Sequence, residues 1–339
     1  MKKSILLTAA AVFLLSFVWF QEGLFEKPAG FPKPVYDFSN NQLKQETIDL
    51  GRALFYDPVL SRTNTISCAS CHSSYTAFTH VDHALSHGIF DSIGTRNSPA
   101  LMNLAWQKSF MWDGAIGNLD MQSLAPISHP TEMGSSIDSV VCRLNKNERY
   151  HRLFYNAFGD STITGERSLK AIAQFMVTLV SANSKFDQVK RGEATFSEQE
   201  AKGYQIFLQH CNSCHTEPLF TSGGFENNGL PIDSRLKDIG RARISQNPAD
   251  SFKFKIPTLR NIEFSFPYMH DGRFKRLAEV LKHYSSDKLN SPNVSNRLKG
   301  GISLNSEQRV DLTAFLLTLT DRDFLFNPKF GYPNEIYSR

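Results

Sequence analysis

The chain has 339 residues and a formal net charge of +4, and its length allows two or three globular domains. Hydrophobic residues make up 41% and charged residues 21% of the sequence, which excludes a fibrous or intrinsically disordered protein. The positive charge is too weak to suggest a nucleic-acid partner, and the five cysteines are too few for a disulfide scaffold.

The N-terminus begins with Lys2 and Lys3, followed by an apolar run over residues 5–20 that only Thr8 and Ser16 interrupt. A basic start followed by such a run predicts an export signal over residues 1–22. A retained membrane anchor is the alternative, because no clear cleavage site follows the run. A buried N-terminal helix is less favoured, because the run is apolar on every face. The folded part is therefore expected in the periplasm, either soluble or anchored.

Helical periodicity predicts a first helix over residues 43–56, and the sequence C-A-S-C-H follows at residues 68–72. C-x-x-C-H is the attachment signature of c-type heme. Cys68 and Cys71 can each form a thioether with a heme vinyl group, and His72 can then ligate the iron from one side. A zinc site or a thiol redox pair explains the pattern less well, since zinc prefers a closed set of four ligands and the redox motif does not require the histidine.

Three histidines, His80, His83 and His87, lie in the segment after this first site, together with Gly88 and Gly94. Glycines give a loop the conformational freedom to bring an imidazole to the other face of a heme. His87 is the preferred candidate for a second iron ligand, because its part of the loop can reach the heme. The alternative is that all three are ordinary surface histidines.

Trp112 lies in a glycine-containing turn at residues 110–114, and tryptophan is well suited to pass or hold an oxidising equivalent. A packed core aromatic is the alternative, and Trp106 is a weaker candidate for the same role.

Further along, Gln122 and Glu132 frame a polar segment that could cover an open heme face. A carboxylate there can take a proton from the attacking oxygen of a peroxide and return it to the leaving oxygen. Glu132 is therefore a candidate acid–base group, unless it is a solvated surface residue.

The heme-attachment pattern occurs a second time at residues 211–215, with Cys211, Cys214 and His215. The surroundings repeat as well, because a G-x-x-x-F sequence precedes each copy, and F-x-x-T-L follows at residues 175–179 and 315–319. Further helices are predicted over residues 166–183, 197–210, 275–284 and 306–319, with a linker near residues 184–196.

The repeat predicts a mainly α-helical protein of two tandem class I cytochrome c-like domains, each with one covalently bound heme c. The first domain is expected over residues 35–185 and the second over residues 190–339.

Downstream of the second copy, three residues belong to types that can bind iron, namely Met269, His283 and Tyr284. Methionine would give a high-potential heme, histidine a low-potential one, and a tyrosine phenolate would favour oxidised iron. The residue types alone do not identify which of the three is the iron ligand. The simpler interpretation of Tyr284 is a tyrosine packed in the core.

Together these segments resemble the bacterial di-heme cytochrome c peroxidase and MauG family over nearly all of the chain after residue 40. The matching stretches form a long ordered series at residues 51–55, 68–72, 95–99, 110–114, 122–133, 211–215, 257–261 and 267–272. The resemblance implies that His72 and His215 are the proximal iron ligands and that Trp112 lies between the hemes. It also implies that the first heme reacts with peroxide in a pocket lined by Gln122 and Glu132, and that the second heme transfers electrons.

The resemblance further implies a calcium ion between the domains, held by the side chain of Asn97 and by the backbone carbonyls of Ser265 and Pro267. It places His270 near the heme propionates.

Tyr284 lies fourteen residues after His270, where most peroxidases of the family have the methionine ligand of the second heme. A tyrosine there resembles the MauG arrangement, so the resemblance favours Tyr284 over Met269 and His283. A histidine ligand of the first heme occurs in the peroxidases at nearly the offset of His87, within a different local sequence.

The sequence therefore predicts an exported di-heme peroxidase that reduces hydrogen peroxide to water with electrons from a small redox protein, such as a cytochrome c or a cupredoxin. One alternative is a MauG-like oxidase that modifies a partner protein, as Tyr284 suggests, and another is a non-catalytic electron carrier with both hemes fully ligated. Members of the family are often dimers, so a homodimer is the expectation here. The fifth cysteine, Cys142, is expected to be a partly buried spare thiol beside a helix.

Overall fold

The computed structural model describes residues 23–287, 289 and 293–338, and the predicted export signal or anchor at residues 1–22 lies outside them. The described chain is mainly helical, as predicted. Within these ranges no helix is both long enough and apolar enough to cross a membrane.

The helices of the first part of the chain are α1 (Gln45–Tyr56), α2 (Cys68–Cys71), α3 (Leu119–Gln122), α4 (Leu124–Ser128), α5 (Ile137–Leu144), α6 (Glu148–Phe158) and α7 (Gly165–Val177). The second part contains α8 (Lys185–Arg191), α9 (Glu198–His210), α10 (Ala242–Ser245), α11 (Leu277–Tyr284), α12 (Ser306–Leu317), α13 (Arg322–Leu325) and α14 (Asn334–Tyr337). Two short antiparallel strands, β1 (Phe225–Glu226) and β2 (Phe254–Lys255), pair Phe225 with Lys255. Short 3-10 helices lie at Pro58–Leu60, Ser74–Thr76, Ile89–Asp91, Leu104–Trp106, Pro248–Asp250 and Pro328–Phe330.

The five helices predicted from periodicity are present as α1, α7, α9, α11 and α12, each beginning within two residues of the expected start. A capping box accounts for the start of α9. Ser197 Oγ accepts a hydrogen bond from the Glu200 N–H at 3.2 Å, and the Glu200 carboxylate accepts one from the Ser197 N–H at 2.7 Å. These bonds satisfy backbone donors that the helix itself leaves without partners.

The sequence repeat is also a structural repeat. Helix α1 meets α7 where Gly51 faces the backbone of Ala171, and α9 meets α12 where Gly203 faces the backbone of Asp311. A Cβ atom at either glycine would lie 1.9 Å from the facing carbonyl oxygen. Only glycine lets the two helices of each pair approach so closely, which explains why both copies of the unit carry it.

The two units are joined by a buried polar network between equivalent residues. The side-chain oxygen of Asn103 accepts from the Ser181 N–H at 2.9 Å, and that of Asn261 accepts from the Asp321 N–H at 2.7 Å. Ser181 Oγ then donates to the Asp321 carboxylate and accepts from the Asn261 amide, both at 3.0 Å. Because all four residues are buried, these bonds fix how the two units meet.

The buried apolar side chains form two clusters that follow the two copies of the unit. The first gathers side chains from Phe31 to Leu179 and the second gathers side chains from Phe186 to Leu319. The end of the chain then returns to the first cluster, where Phe324 and Leu325 are buried. No motif in the sequence predicts this return.

Contacts between α1 and the end of the chain hold that return in place. Arg52 donates to the Glu335 carboxylate at 2.6 Å and to the Gly331 carbonyl at 2.8 Å. The Tyr337 hydroxyl donates to the Ala53 carbonyl at 2.6 Å. The last residues therefore cover the outer face of α1.

The segment near residues 184–196, predicted as a linker, contains helix α8. Ser184 and Asp187 form a capping box at its start, and Gly192 ends it with a positive φ of 79°. Phe186 is buried in the second cluster, so α8 is an integral part of the second unit. The prediction of a linker there is wrong because packing of one aromatic residue and good caps outweigh a largely polar composition.

Candidate heme sites

The first C-x-x-C-H copy forms one wall of a cavity. Cys68 and Cys71 begin and end α2, and both are free thiols. The cavity they line with His72 contains about 570 Å³ of empty space, its open mouth included. Much of the remaining wall is apolar, with Phe55, Ile66, Leu101, Met133, Ile172 and Met176, and suits a flat hydrophobic cofactor.

His72 is oriented as a proximal ligand requires. Its Nδ1 donates a hydrogen bond to the Phe78 carbonyl at 2.7 Å, which leaves Nε2 without the proton. Burial lowers the pKa of His72 to about 4, so the imidazole is neutral. A neutral imidazole with a free Nε2 is the form that binds iron. The residues at the first site therefore fit a covalently attached heme.

The second copy repeats these features after the end of α9. The Nδ1 atom of His215 faces two carbonyl oxygens, that of Pro257 at 3.1 Å and that of Phe220 at 3.3 Å. Burial lowers the pKa of His215 to about 4. Cys211 and Cys214 are free thiols here as well, so the second site also fits a heme.

Gln122 and Glu132 line the first cavity together, at the end of α3 and in the turn after α4. The Gln122 amide donates to Met111 Sδ at 3.7 Å, which orients it. Burial raises the pKa of Glu132, and His129, whose Nδ1 lies 3.8 Å from Glu132 Oε1, opposes that effect. A raised pKa makes the carboxyl group hold a proton more readily than an exposed glutamate does, which suits a group that must both accept and release one.

His87 also lines the first cavity, whereas His80 and His83 are not among its lining residues. The loop that carries His87 packs on the Glu132 side, because a Cβ at Gly88 would lie 2.4 Å from the Glu132 carbonyl oxygen. His87 Nδ1 bonds to the Asp91 carboxylate at 2.7 Å. Its role as an iron ligand stays a prediction.

Tyr284, the last residue of α11, and Met269 both face the second site. The Asn228 amide donates to the Tyr284 hydroxyl at 3.5 Å and to Met269 Sδ at 3.3 Å. The phenol of Tyr284 is close enough to Cys211 and Cys214 to interact with them electrostatically, and burial raises its pKa. His283 is less available, because its Nε2 bonds to the Asn228 carbonyl at 3.0 Å.

Trp112 lies at the junction of the two units. Its indole N–H donates to the Asn97 carbonyl at 2.8 Å, and its own carbonyl accepts from the Lys255 N–H at 2.7 Å. Trp106, the weaker candidate, is buried in the first cluster and donates to the Pro32 carbonyl at 2.8 Å. Trp106 is thus a core residue.

The residues expected around calcium and the propionates lie near the same junction. Asn97 donates from its backbone to the His270 carbonyl at 2.7 Å and from its amide to the Ala84 carbonyl at 3.0 Å. His270 stacks on Phe254 with ring centroids 3.6 Å apart. Calcium binding, with Ser265 and Pro267 as further ligands, stays a prediction, as does a propionate near His270.

Several residues at the junction were not predicted from the sequence. Arg96 donates to Asp113 at 2.7 Å and to Asp238 at 2.6 Å, which ties the Trp112 turn to the second unit. Lys255 contacts the same turn. Isolated cations outside the long helices have no spacing pattern that could reveal them. Cys142, expected to be partly buried beside a helix, is instead exposed and lies within α5.

Comparisons with known proteins agree with two heme sites. A family model described as di-haem cytochrome c peroxidase matches residues 45–195. The methylamine utilization protein MauG of Methylorubrum extorquens is 36% identical over 307 residues, which cover 87% of this chain and 83% of that protein. The cytochrome c551 peroxidase of Nitrosomonas europaea is 32% identical over 277 residues, which cover 80% of this chain and 79% of that protein.

Solved structures show the same architecture. A MauG-like protein associated with microbial copper homeostasis superposes with a TM-score of 0.85 at 30% identity, covering 91% of this chain and 99% of its own. The diheme peroxidase BthA from Burkholderia thailandensis superposes with a TM-score of 0.73 at 22% identity, covering 86% of this chain and 91% of its own. The second likeness shows the fold alone.

Proposed function

The chain belongs to the di-heme cytochrome c peroxidase and MauG family, and from this we propose that it is an exported peroxidase that reduces hydrogen peroxide to water. Electrons come from a small redox protein, a cytochrome c or a cupredoxin. The observation that carries the proposal is the meeting of Glu132 and Gln122 with the heme-attachment residues in one cavity. A pure electron carrier would have no need of an acid–base group there.

Cys68, Cys71 and His72 would hold the first heme, and Cys211, Cys214 and His215 would hold the second, with Tyr284 as a further ligand of its iron. Tyr284 is preferred to Met269 because its phenol interacts with Cys211 and Cys214. Calcium would be held by Asn97 and the carbonyls of Ser265 and Pro267.

The side chains of the cavity handle the protons of the reaction. When bound, heme supplies the redox chemistry that cleaves the O–O bond. Glu132 accepts the proton of the attacking peroxide oxygen and returns it to the leaving oxygen. Its raised pKa favours that return. The Gln122 amide, oriented by Met111, donates a hydrogen bond that positions the peroxide.

A MauG-like oxidase is the second candidate function, and Tyr284 is the observation that favours it. A phenolate ligand stabilises oxidised iron and so makes the second site a poorer acceptor for electrons from a donor protein. In this case the electrons come from side chains of a partner protein. The relatives named MauG fit this candidate.

A steady-state assay with reduced cytochrome c tests the proposed function. Holoprotein should oxidise the donor only when peroxide is present. A long-lived oxidised state that no small donor reduces would support the MauG-like candidate instead. Electron paramagnetic resonance (EPR) spectra with low-spin signals alone, before and after partial reduction, would contradict both enzymes and favour the electron carrier.

A further inference from the structure

Lys255 is a partly buried cation that clamps the Trp112 turn from the opposite unit. From strand β2, its ammonium donates to the side-chain oxygen of Gln107 and to the Ser109 carbonyl. Its backbone N–H donates to the Trp112 carbonyl at 2.7 Å, and its Nζ lies 5.6 Å from the centroid of the Phe110 ring. All of these contacts reach one short segment, residues 107–112, of the first unit.

No side chain of the described residues neutralises the charge of Lys255. No carboxylate in these ranges lies within 4.0 Å of its ammonium, and Asp113 and Asp238 are both paired with Arg96. Arg241, which donates to the Asp113 carbonyl at 3.1 Å, differs from Lys255 in having a carboxylate partner, since its Nε lies 3.7 Å from Asp250 Oδ2. Burial without a counter-charge lowers the pKa of Lys255 to about 8, so the ammonium form still predominates at neutral pH.

Because of the hydrogen bond that the Trp112 indole makes, a positive charge near it affects how easily the indole is oxidised. Its N–H donates to a backbone carbonyl at 2.8 Å, and a carbonyl is too weak a base to remove the proton. An indole that loses an electron here therefore keeps its proton and becomes a cation. A second positive charge close to that cation raises the energy needed to form it.

We propose that Lys255 is a positioning residue that prevents the oxidised form of Trp112 from accumulating. Its bonds hold the turn between the units, and its charge makes the oxidised indole a short-lived state. The indole gives one electron to the oxidised first site and takes one back from the second, so it is unchanged after each transfer. The inference rests on the proposed function, because peroxide supplies the oxidising equivalent.

Three substitutions separate the charge from the hydrogen bonds. Lys255→Arg keeps both, Lys255→Gln keeps an amide donor but removes the charge, and Lys255→Met removes both. Holoprotein is mixed with peroxide without an electron donor, frozen within milliseconds and measured by EPR. The Gln and Met variants should give a tryptophanyl radical signal at least several-fold larger than wild type and the Arg variant. Trp112→Phe in the Gln background should abolish that signal.

Heme absorbance and melting temperature establish which variants are folded, and the Gln variant carries the test if the Met variant does not fold. Equal radical yields in wild type and the Gln variant, with normal peroxide consumption in both, would overturn the inference alone. Failure of wild-type holoprotein to consume peroxide would overturn the proposed function and the inference with it.

Discussion

Arg260 and Asp187 form a buried two-pronged ion pair, with Nη1 2.8 Å from Oδ2 and Nη2 2.7 Å from Oδ1. The Arg260 side chain is fully buried, and its Nε donates to the Pro218 carbonyl at 2.8 Å. Asp187 belongs to α8, whereas Arg260 lies three residues after Pro257, whose carbonyl bonds to His215. The pair therefore fastens α8 to the segment that orients the second proximal histidine.

Asp187→Asn should destabilise the protein by about 3–5 kcal/mol, because it leaves a buried guanidinium without its counter-charge. Chemical unfolding of the holoprotein measures this loss. Asp160→Asn is the matched control, because Asp160 forms a similar pair with Arg167 at the surface and its loss should have little effect. Equal losses in the two variants would contradict the structural role assigned to Asp187.

Glu132→Gln should slow the reaction of holoprotein with peroxide by roughly 10²–10⁴-fold, the usual contribution of a general acid–base group. Stopped-flow measurement of the heme absorbance gives the rate constant. Glu166→Gln is the control, since Glu166 lies on the exposed side of α7 and pairs with Lys170. An unchanged rate constant in the Glu132 variant would remove that residue from the mechanism.

The peroxide reaction should lose rate as the pH falls, because Glu132 must be ionised to accept the first proton. Burial raises its pKa above the ordinary 4.5, so the loss begins at a higher pH than for an exposed glutamate. The titratable groups that face it are His129, at 3.8 Å, and His87, which lines the same cavity and is paired with the exposed Asp91.

His129→Gln should move this loss of rate to still higher pH, because protonated His129 favours the Glu132 carboxylate. A pH series of second-order rate constants for both proteins tests the shift. A displacement toward lower pH would mean that His129 acts on another group.

Tyr284→Met should raise the midpoint potential of the second heme by more than about 59 mV, a tenfold change in a one-electron equilibrium. The reason is that methionine stabilises reduced iron, whereas a phenolate stabilises oxidised iron. Met269→Leu is the matched variant, since Met269 faces the same site. A large shift in the Met269 variant and none in the Tyr284 variant would make Met269 the ligand.

The features that could be predicted from the sequence are the ones with a local pattern. C-x-x-C-H fixes three residues of each site, and helical periodicity revealed α1, α7, α9, α11 and α12. Helix α8 was missed because only Phe186 and Val189 in it are apolar, too few for a helical stripe. Lys255 was missed because the residues that it contacts, 107–112, lie far from it in the sequence.

The cover that residues 331–337 form over Arg52 and Ala53 makes the two units depend on one another. The packing of the first unit is completed by residues that follow the second unit in the sequence. Cutting the chain between the units would therefore leave the outer face of α1 without its cover.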